Sequence, residues 1–187
     1  MPLNVPNLVT LSRIVLIPLI IGLFYLPQDW VPLHAQNTAA TAVFILAAVT
    51  DWLDGYLARK LNQMSAFGAF LDPVADKLIV VGALIVLLQL ERVESIVGFI
   101  IIGREIAISA LREWMAKVGQ AKSVAVAFIG KLKTLSQMVA IPLLLYHDPL
   151  FGLDCLFLGT GLINVAAVLT VASMLYYLRK ALPHAAL

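Results

Sequence analysis

Long apolar runs alternate with short polar breaks along the whole chain, and the spacing of the breaks predicts six helices. The runs cover roughly residues 8–26, 38–59, 70–90, 95–116, 125–146 and 155–178. Each is close to the ~20 apolar residues that a helix needs to cross the hydrocarbon core of a bilayer. The breaks carry turn-forming or charged residues: LPQDWVPLHAQN has two prolines, QLERVE is charged, and HDPLFGLD combines Pro, Gly and two acids. Pro2 and Pro6 limit helix ahead of Asn7, which leaves a short N-terminal juxtamembrane segment. HAQNTAA offers small residues for signal cleavage. Five further spans follow the first, however, so that first run is read as a retained span.

Composition agrees with a membrane protein. Of 187 residues, 61% are hydrophobic and 13% charged, against about half and about a quarter in soluble domains. The net charge of +2 gives no ground for a nucleic-acid partner. Cys155 is the sole cysteine, which excludes an internal disulfide and a cysteine-based metal cluster.

Basic residues set the orientation. With the N-terminus in the cytoplasm, Arg13 falls on that side and Arg59 and Lys60 lie between spans two and three. Lys77 sits just inside span three, while Arg112, Lys117, Lys122, Lys131 and Lys133 surround the connection from span four to span five. Arg179 and Lys180 close the chain. The opposite side sets Arg92 against Asp29, Glu91, Glu94, Asp148 and Asp154. The expectation is therefore an all-α integral membrane protein. Its single domain, residues 1–187, has six transmembrane helices and cytoplasmic N- and C-termini.

Four carboxylates then stand out, because this topology puts them at one depth. Asp51 and Asp54 precede the cytoplasmic end of span two, and Asp72 and Asp76 occupy the opening turns of span three. The spacings i,i+3 and i,i+4 give each pair one helix face. A charge at membrane depth costs about 2.5–3.5 kcal/mol on insertion scales, so this group needs compensation. Hard divalent cations such as Mg²⁺ suit carboxylate oxygens, and no His/Cys cluster points to zinc or copper. Gly55 and Gly68 leave backbone room beside Asp54 and Asp72, Ala58 is small, and Arg59 offers a fork for phosphate. Carboxylates for two metals beside an arginine suggest displacement at phosphorus. Taken one pair at a time, the acids could equally be solvated helix-end residues; Asp72 and Asp76 would favour a helix N-terminus, with Pro73 fitting a start there.

The pattern D-x2-D-G-x2-A-R-x8-G-x3-D-x3-D from Asp51 to Asp76 resembles the signature of the CDP-alcohol phosphatidyltransferases, with all eight positions present. The likeness continues through PNLVTLSR, FGAFLDPVADKL, REIAISALREWMA and GKLKTLSQM. It implies two Mg²⁺ ions (Mn²⁺ being the other candidate) held by Asp51, Asp54, Asp72 and Asp76, with Asp76 also the general base. It implies CDP-diacylglycerol as donor, bound near Gly55, Ala58, Arg59 and Gly68, with CMP as leaving group. Asn7 and Thr10 would hydrogen-bond the nucleotide or, on the plainer reading, cap a helix. It also implies a multi-pass homodimer among the lipids of the bacterial inner (cytoplasmic) membrane, its site facing the cytosol.

The last two stretches tilt the acceptor towards sn-glycerol 3-phosphate, a dianion that needs basic residues. Arg104, Arg112, Lys131 and Lys133 are the candidates, and Arg104 lies deepest, where a charge should face the protein interior. Lys131 and Lys133 could instead be positive-inside anchors or lipid-head contacts. Trp114 and Tyr176–Tyr177 read as interface-belt residues. The Asp signature does not separate glycerol phosphate from inositol phosphate, serine or phosphatidylglycerol as acceptor. A cation-coupled transporter is the rival of another class. Such sites usually lie near the midplane between repeats, and no internal repeat is visible in the chain.

Overall fold

The structure, a computed structural model, describes residues 5–60, 66–120 and 128–184, and of residues 5, 6, 52, 54–60, 66, 69 and 184 the backbone alone. Six helices follow one another: α1 (Val5–Leu23), α2 (Leu33–Lys60), α3 (Ala66–Gln89), α4 (Ser95–Lys117), α5 (Phe128–Tyr146) and α6 (Cys155–Ala181). A 3₁₀ turn, Leu182–His184, follows α6. Among the described residues no strand forms; an isolated bridge joins Leu150 and Leu153 in the α5–α6 turn.

Each expected apolar run corresponds to one helix. Leu33–Asp51, Phe128–Tyr146 and Cys155–Ala181 are long and apolar enough to cross a membrane by themselves, and Asn7–Leu23 is a shorter apolar helix. The largest shift in boundary is at α2, which begins at Leu33 instead of near residue 38. α1 begins at Val5 and takes Pro6 into its first turn, ahead of Asn7, and α3 begins at Ala66 instead of near residue 70 and so carries Pro73 inside the helix. Pro73 therefore does not mark the helix start.

Local chemistry explains the turns. Gln36 donates from Nε2 to the Leu26 and Val31 carbonyls at 3.0 and 2.9 Å, closing the α1–α2 connection. Asp154 caps α6 by accepting from the Phe157 amide at 2.9 Å. Arg92, between α3 and α4, is buried and donates to the Leu144 and Leu145 carbonyls at 3.0 and 2.9 Å and to Asn37 Oδ1 at 2.9 Å. Those two carbonyls belong to the last turn of α5, where a helix has acceptors to spare and a cation is favoured. Burial pushes the Arg92 guanidinium down from its ordinary pKa, and the nearby Asp148 partly offsets this.

The helices pack as two interleaved sets: α1 against α2 and α3, and α6 against α4 and α5. Between them runs one core that includes Ile20, Phe44, Leu84, Ile101, Ile141 and Leu144. Large apolar side chains such as Val15, Phe99, Phe157 and Val168 point outward, as lipid-facing surfaces allow. Glycine permits the closest approach. A Cβ at Gly159 would meet Leu144 Cγ at 2.7 Å, so α5 and α6 touch nearly backbone to side-chain base. A smaller cluster of Ile108, Met115, Tyr177 and Ala181 joins the C-terminal halves of α4 and α6. Tyr177 is thus fully buried and not an interface-belt residue.

Candidate active site

Residues Asn7, Thr10 and Arg13 recur every third position on α1, which gives them one face. All three are buried. Asn7 and Thr10 lie within α1 and not at its start, so neither is its N-cap. Thr10 Oγ1 instead donates to Asp72 Oδ1 at 2.7 Å. Arg13, 1% exposed, reaches across to the acids of two other helices. Its Nη1 donates to Asp51 Oδ1 at 2.6 Å and to Asp76 Oδ1 at 2.5 Å, and Nη2 stands 3.6 Å from Asp72 Oδ1.

Asp51 on α2 and Asp72 and Asp76 on α3 therefore converge on Arg13, and Asp72 and Asp76 share the helix face that their i,i+4 spacing predicts. The three carboxylates remain 43–48% exposed although the guanidinium between them is not. Gly68 is buried one turn before Asp72. The side chains of Asp54, Ala58 and Arg59, and the surroundings of Gly55, lie outside the described residues. The donor set has the chemistry of a hard-cation site, all carboxylate and without soft ligands. Among the described residues no three such groups are gathered tightly enough to hold a metal ion by themselves. Asp54 is outside that set, and Arg13 stands between Asp51 and Asp76.

Beside the acids opens a cavity of about 440 Å³, walled by all of the first five helices. Arg13, Asp51 and Asp76 line one part of it, and Glu105 and Lys133 another. Lys133 is 2% exposed and its ammonium donates to the Glu105 carboxylate. Arg104 Nη1 lies 3.6 Å from the same carboxylate, so two cations share one anion and the group keeps a net positive charge.

The other basic candidates are placed differently. Arg104 does not line the cavity; it is turned to α6, where Nη2 donates to Ser173 Oγ at 3.3 Å. Arg112 lies over the Tyr177 ring, 5.5 Å from its centroid. Lys131 is exposed and also stands off the cavity.

A second, apolar hollow of about 330 Å³ adjoins the first through Phe44, Ala48 and Met138. It is lined from α2 and α5 alone. One end of the site is thus polar and ionic while its flank is suited to hydrocarbon.

Two of these residues carry weight that sequence reading did not assign. Arg13 served there as a mark of orientation, although its three-residue spacing from Thr10 and Asn7 was a usable signal. Gln137, on the cavity wall, stands four positions after Lys133 in GKLKTLSQM, and that spacing was likewise a usable signal.

The sequence pattern of the CDP-alcohol phosphatidyltransferase family matches residues 3–176. Curated proteins of Shigella flexneri and Escherichia coli (strain K12), both named CDP-diacylglycerol–glycerol-3-phosphate 3-phosphatidyltransferase, are 49% identical to the chain over 185 residues. The alignment covers 97% of this chain and 96% of each relative. A protein of the same name from Shigella boydii matches equally well.

Proposed function

Because the chain belongs to the CDP-alcohol phosphatidyltransferase family, we propose that it moves the phosphatidyl group of CDP-diacylglycerol to sn-glycerol 3-phosphate. The products are phosphatidylglycerophosphate and CMP. The observation that carries this reading is a single one. Asp51 and Asp76, with Asp72 gathered beside them on Arg13, line a cavity that also holds buried Lys133 and opens onto an apolar hollow. A substrate with two acyl tails and an ionic head needs that combination, and so does a reaction that joins it to a soluble dianion.

In the reaction, the primary hydroxyl oxygen of the acceptor forms a bond to the phosphorus that carries the diacylglycerol. The bond from that phosphorus to the bridging oxygen breaks, and its electron pair leaves with CMP. The hydroxyl proton passes to a carboxylate oxygen of Asp76. Asp76 is one turn from Asp72 on the same helix face, and Arg13 orients it by the same nitrogen that grips Asp51. What suits Asp76 to take the proton is its position, within one carboxylate cluster and on the cavity wall.

Two Mg²⁺ or Mn²⁺ ions held by Asp51, Asp54, Asp72 and Asp76 would supply charge neutralisation at the phosphates. Thr10 supports the set by fixing Asp72. Asn7, Gly55, Ala58, Arg59 and Gly68 complete the donor side, the glycines allowing close backbone approach.

On the acceptor side, Lys133 receives the phosphate. It exchanges Glu105 for a dianion, with Arg104 behind Glu105 holding that carboxylate as it is released. Arg112 and Lys131 add long-range attraction for the anionic substrate. The six helices span a bacterial cytoplasmic membrane with both termini and the site on the cytosolic side, which the distribution of Lys and Arg supports. The working unit is a homodimer surrounded by membrane lipids.

The test is direct. Protein purified in detergent is given CDP-diacylglycerol, Mg²⁺ and a panel of acceptors, and CMP release is followed. Release with glycerol 3-phosphate is expected. No release with any acceptor would defeat the transferase reading, whereas preference for inositol phosphate would overturn the acceptor alone.

A further inference from the structure

We propose that Gln137 is a specificity-determining residue that binds the secondary hydroxyl of the acceptor, an inference that rests on the glycerol phosphate reading above. Gln137 lies four positions after Lys133 on α5, so both face the same cavity. The two are separated by about 6 Å along the helix axis. Side chains that close on one helix face can both reach a single small polyol phosphate.

The state of the side chain points to a ligand. Gln137 is 2% exposed, and among the described residues its Oε1 has no hydrogen-bond partner. A buried carboxamide oxygen left unmet is costly, and here it sits on the wall of a cavity large enough for a small substrate. Of the residues that line the cavity with it, Phe44, Val80 and Met138 have no polar side-chain group to offer, and Thr134, one turn before it, gives its hydroxyl proton to the Gly130 carbonyl. A hydroxyl both donates and accepts, so it satisfies either end of a carboxamide.

The acceptor has three polar groups, and the cavity has a residue for each. The phosphate goes to Lys133 and the reacting hydroxyl to Asp76, which leaves the remaining hydroxyl for Gln137. A site built to hydrogen-bond a hydroxyl also rejects the analogue that lacks it, since the protein group is then left unpaired.

The experiment compares sn-glycerol 3-phosphate with 3-hydroxypropyl phosphate, which keeps the reacting hydroxyl and the phosphate and lacks the secondary hydroxyl. CMP release is measured for the wild type, Gln137→Met, which keeps volume without the amide, and Gln137→Asn, which withdraws the amide by one methylene. The wild type should favour glycerol phosphate in kcat/KM by about 10-fold or more. Gln137→Met should lose about that factor on glycerol phosphate and stay within about twofold on the deoxy acceptor, so that the ratio collapses. Gln137→Asn, the milder change, should lower the ratio in the same direction and serves if the Met variant fails to fold.

An unchanged ratio in the variants, or an equal loss on both acceptors, overturns the assignment. A wild type that treats the two acceptors alike does so as well. These outcomes differ from failure of the underlying reading, in which the wild type releases no CMP from glycerol phosphate at all.

Discussion

Removing Arg13 tests whether its guanidinium and the divalent ions serve the same carboxylates. In Arg13→Ala the contacts at 2.6 and 2.5 Å to Asp51 and Asp76 disappear, together with the longer one to Asp72. Deleting one partner of a buried ion pair typically costs about 3–5 kcal/mol. That figure is too large here, because the three carboxylates are 43–48% exposed and solvent can take over part of the lost interaction. A discounted loss of about 1–2 kcal/mol is the better expectation, equivalent to a melting temperature lower by about 2–8 °C for a chain of this size.

The sign of the metal effect is what makes the test decisive. Without divalent ions the variant leaves three acids facing one another with no cation between them, so a metal should bind it at least as well as it binds the wild type. A cation at 100 times its Kd adds about 2.7 kcal/mol to the folded state, enough to offset the whole deficit. Thermal unfolding in detergent, first in chelator and then across a Mg²⁺ titration, reads this out without any need for turnover. The gap between the two proteins should narrow as Mg²⁺ rises. Two curves that stay parallel at every concentration would refute the idea that Arg13 and the metals neutralise the same charges.

Three further substitutions probe separate parts of the argument. Asp76→Asn keeps the shape of the side chain and a partner for Arg13, so it should abolish CMP release while shifting the melting temperature little; near-normal turnover would remove Asp76 as the base. Lys133→Met should raise the acceptor KM by about 10-fold or more, with a smaller change in the donor KM, and equal shifts in both would assign Lys133 to structure instead. Gly159→Ala would drive a methyl to within 2.7 Å of Leu144 Cγ and should cost about 1–3 kcal/mol of stability through overpacking. If that variant melts like the wild type, α5 and α6 have more freedom to separate than their contact suggests.

The parts of this protein that could be read from its sequence are those in which spacing along the chain becomes position in space by a fixed rule. Helix count follows from apolar run length, and the order of depth along each helix follows from its rise. The pairing of Asp72 with Asp76 follows from one helical turn, as does the shared face of Asn7, Thr10 and Arg13. What spacing cannot supply is the rotation of one helix about its axis against another. Arg104 and Lys133 illustrate the difference, since both are basic and buried within their helices. Lys133 faces the cavity while Arg104 is turned to Ser173 on α6, a residue 69 positions away. That choice is made by how closely α4 and α5 approach α6, and Gly159 sets the approach for α5. Arg13 is subject to the same limit. Its value as an orientation signal depends on charge alone, which is visible in the chain, but its grip on Asp51 and Asp76 spans 38 and 63 residues and depends on α1 lying against both α2 and α3. One residue thus answers to two physical rules, and only the local one is written in neighbouring sequence. Buried polar side chains such as Gln137 are accordingly where packing adds most to a functional reading, because lipid and core both disfavour them unless something in the cavity meets them.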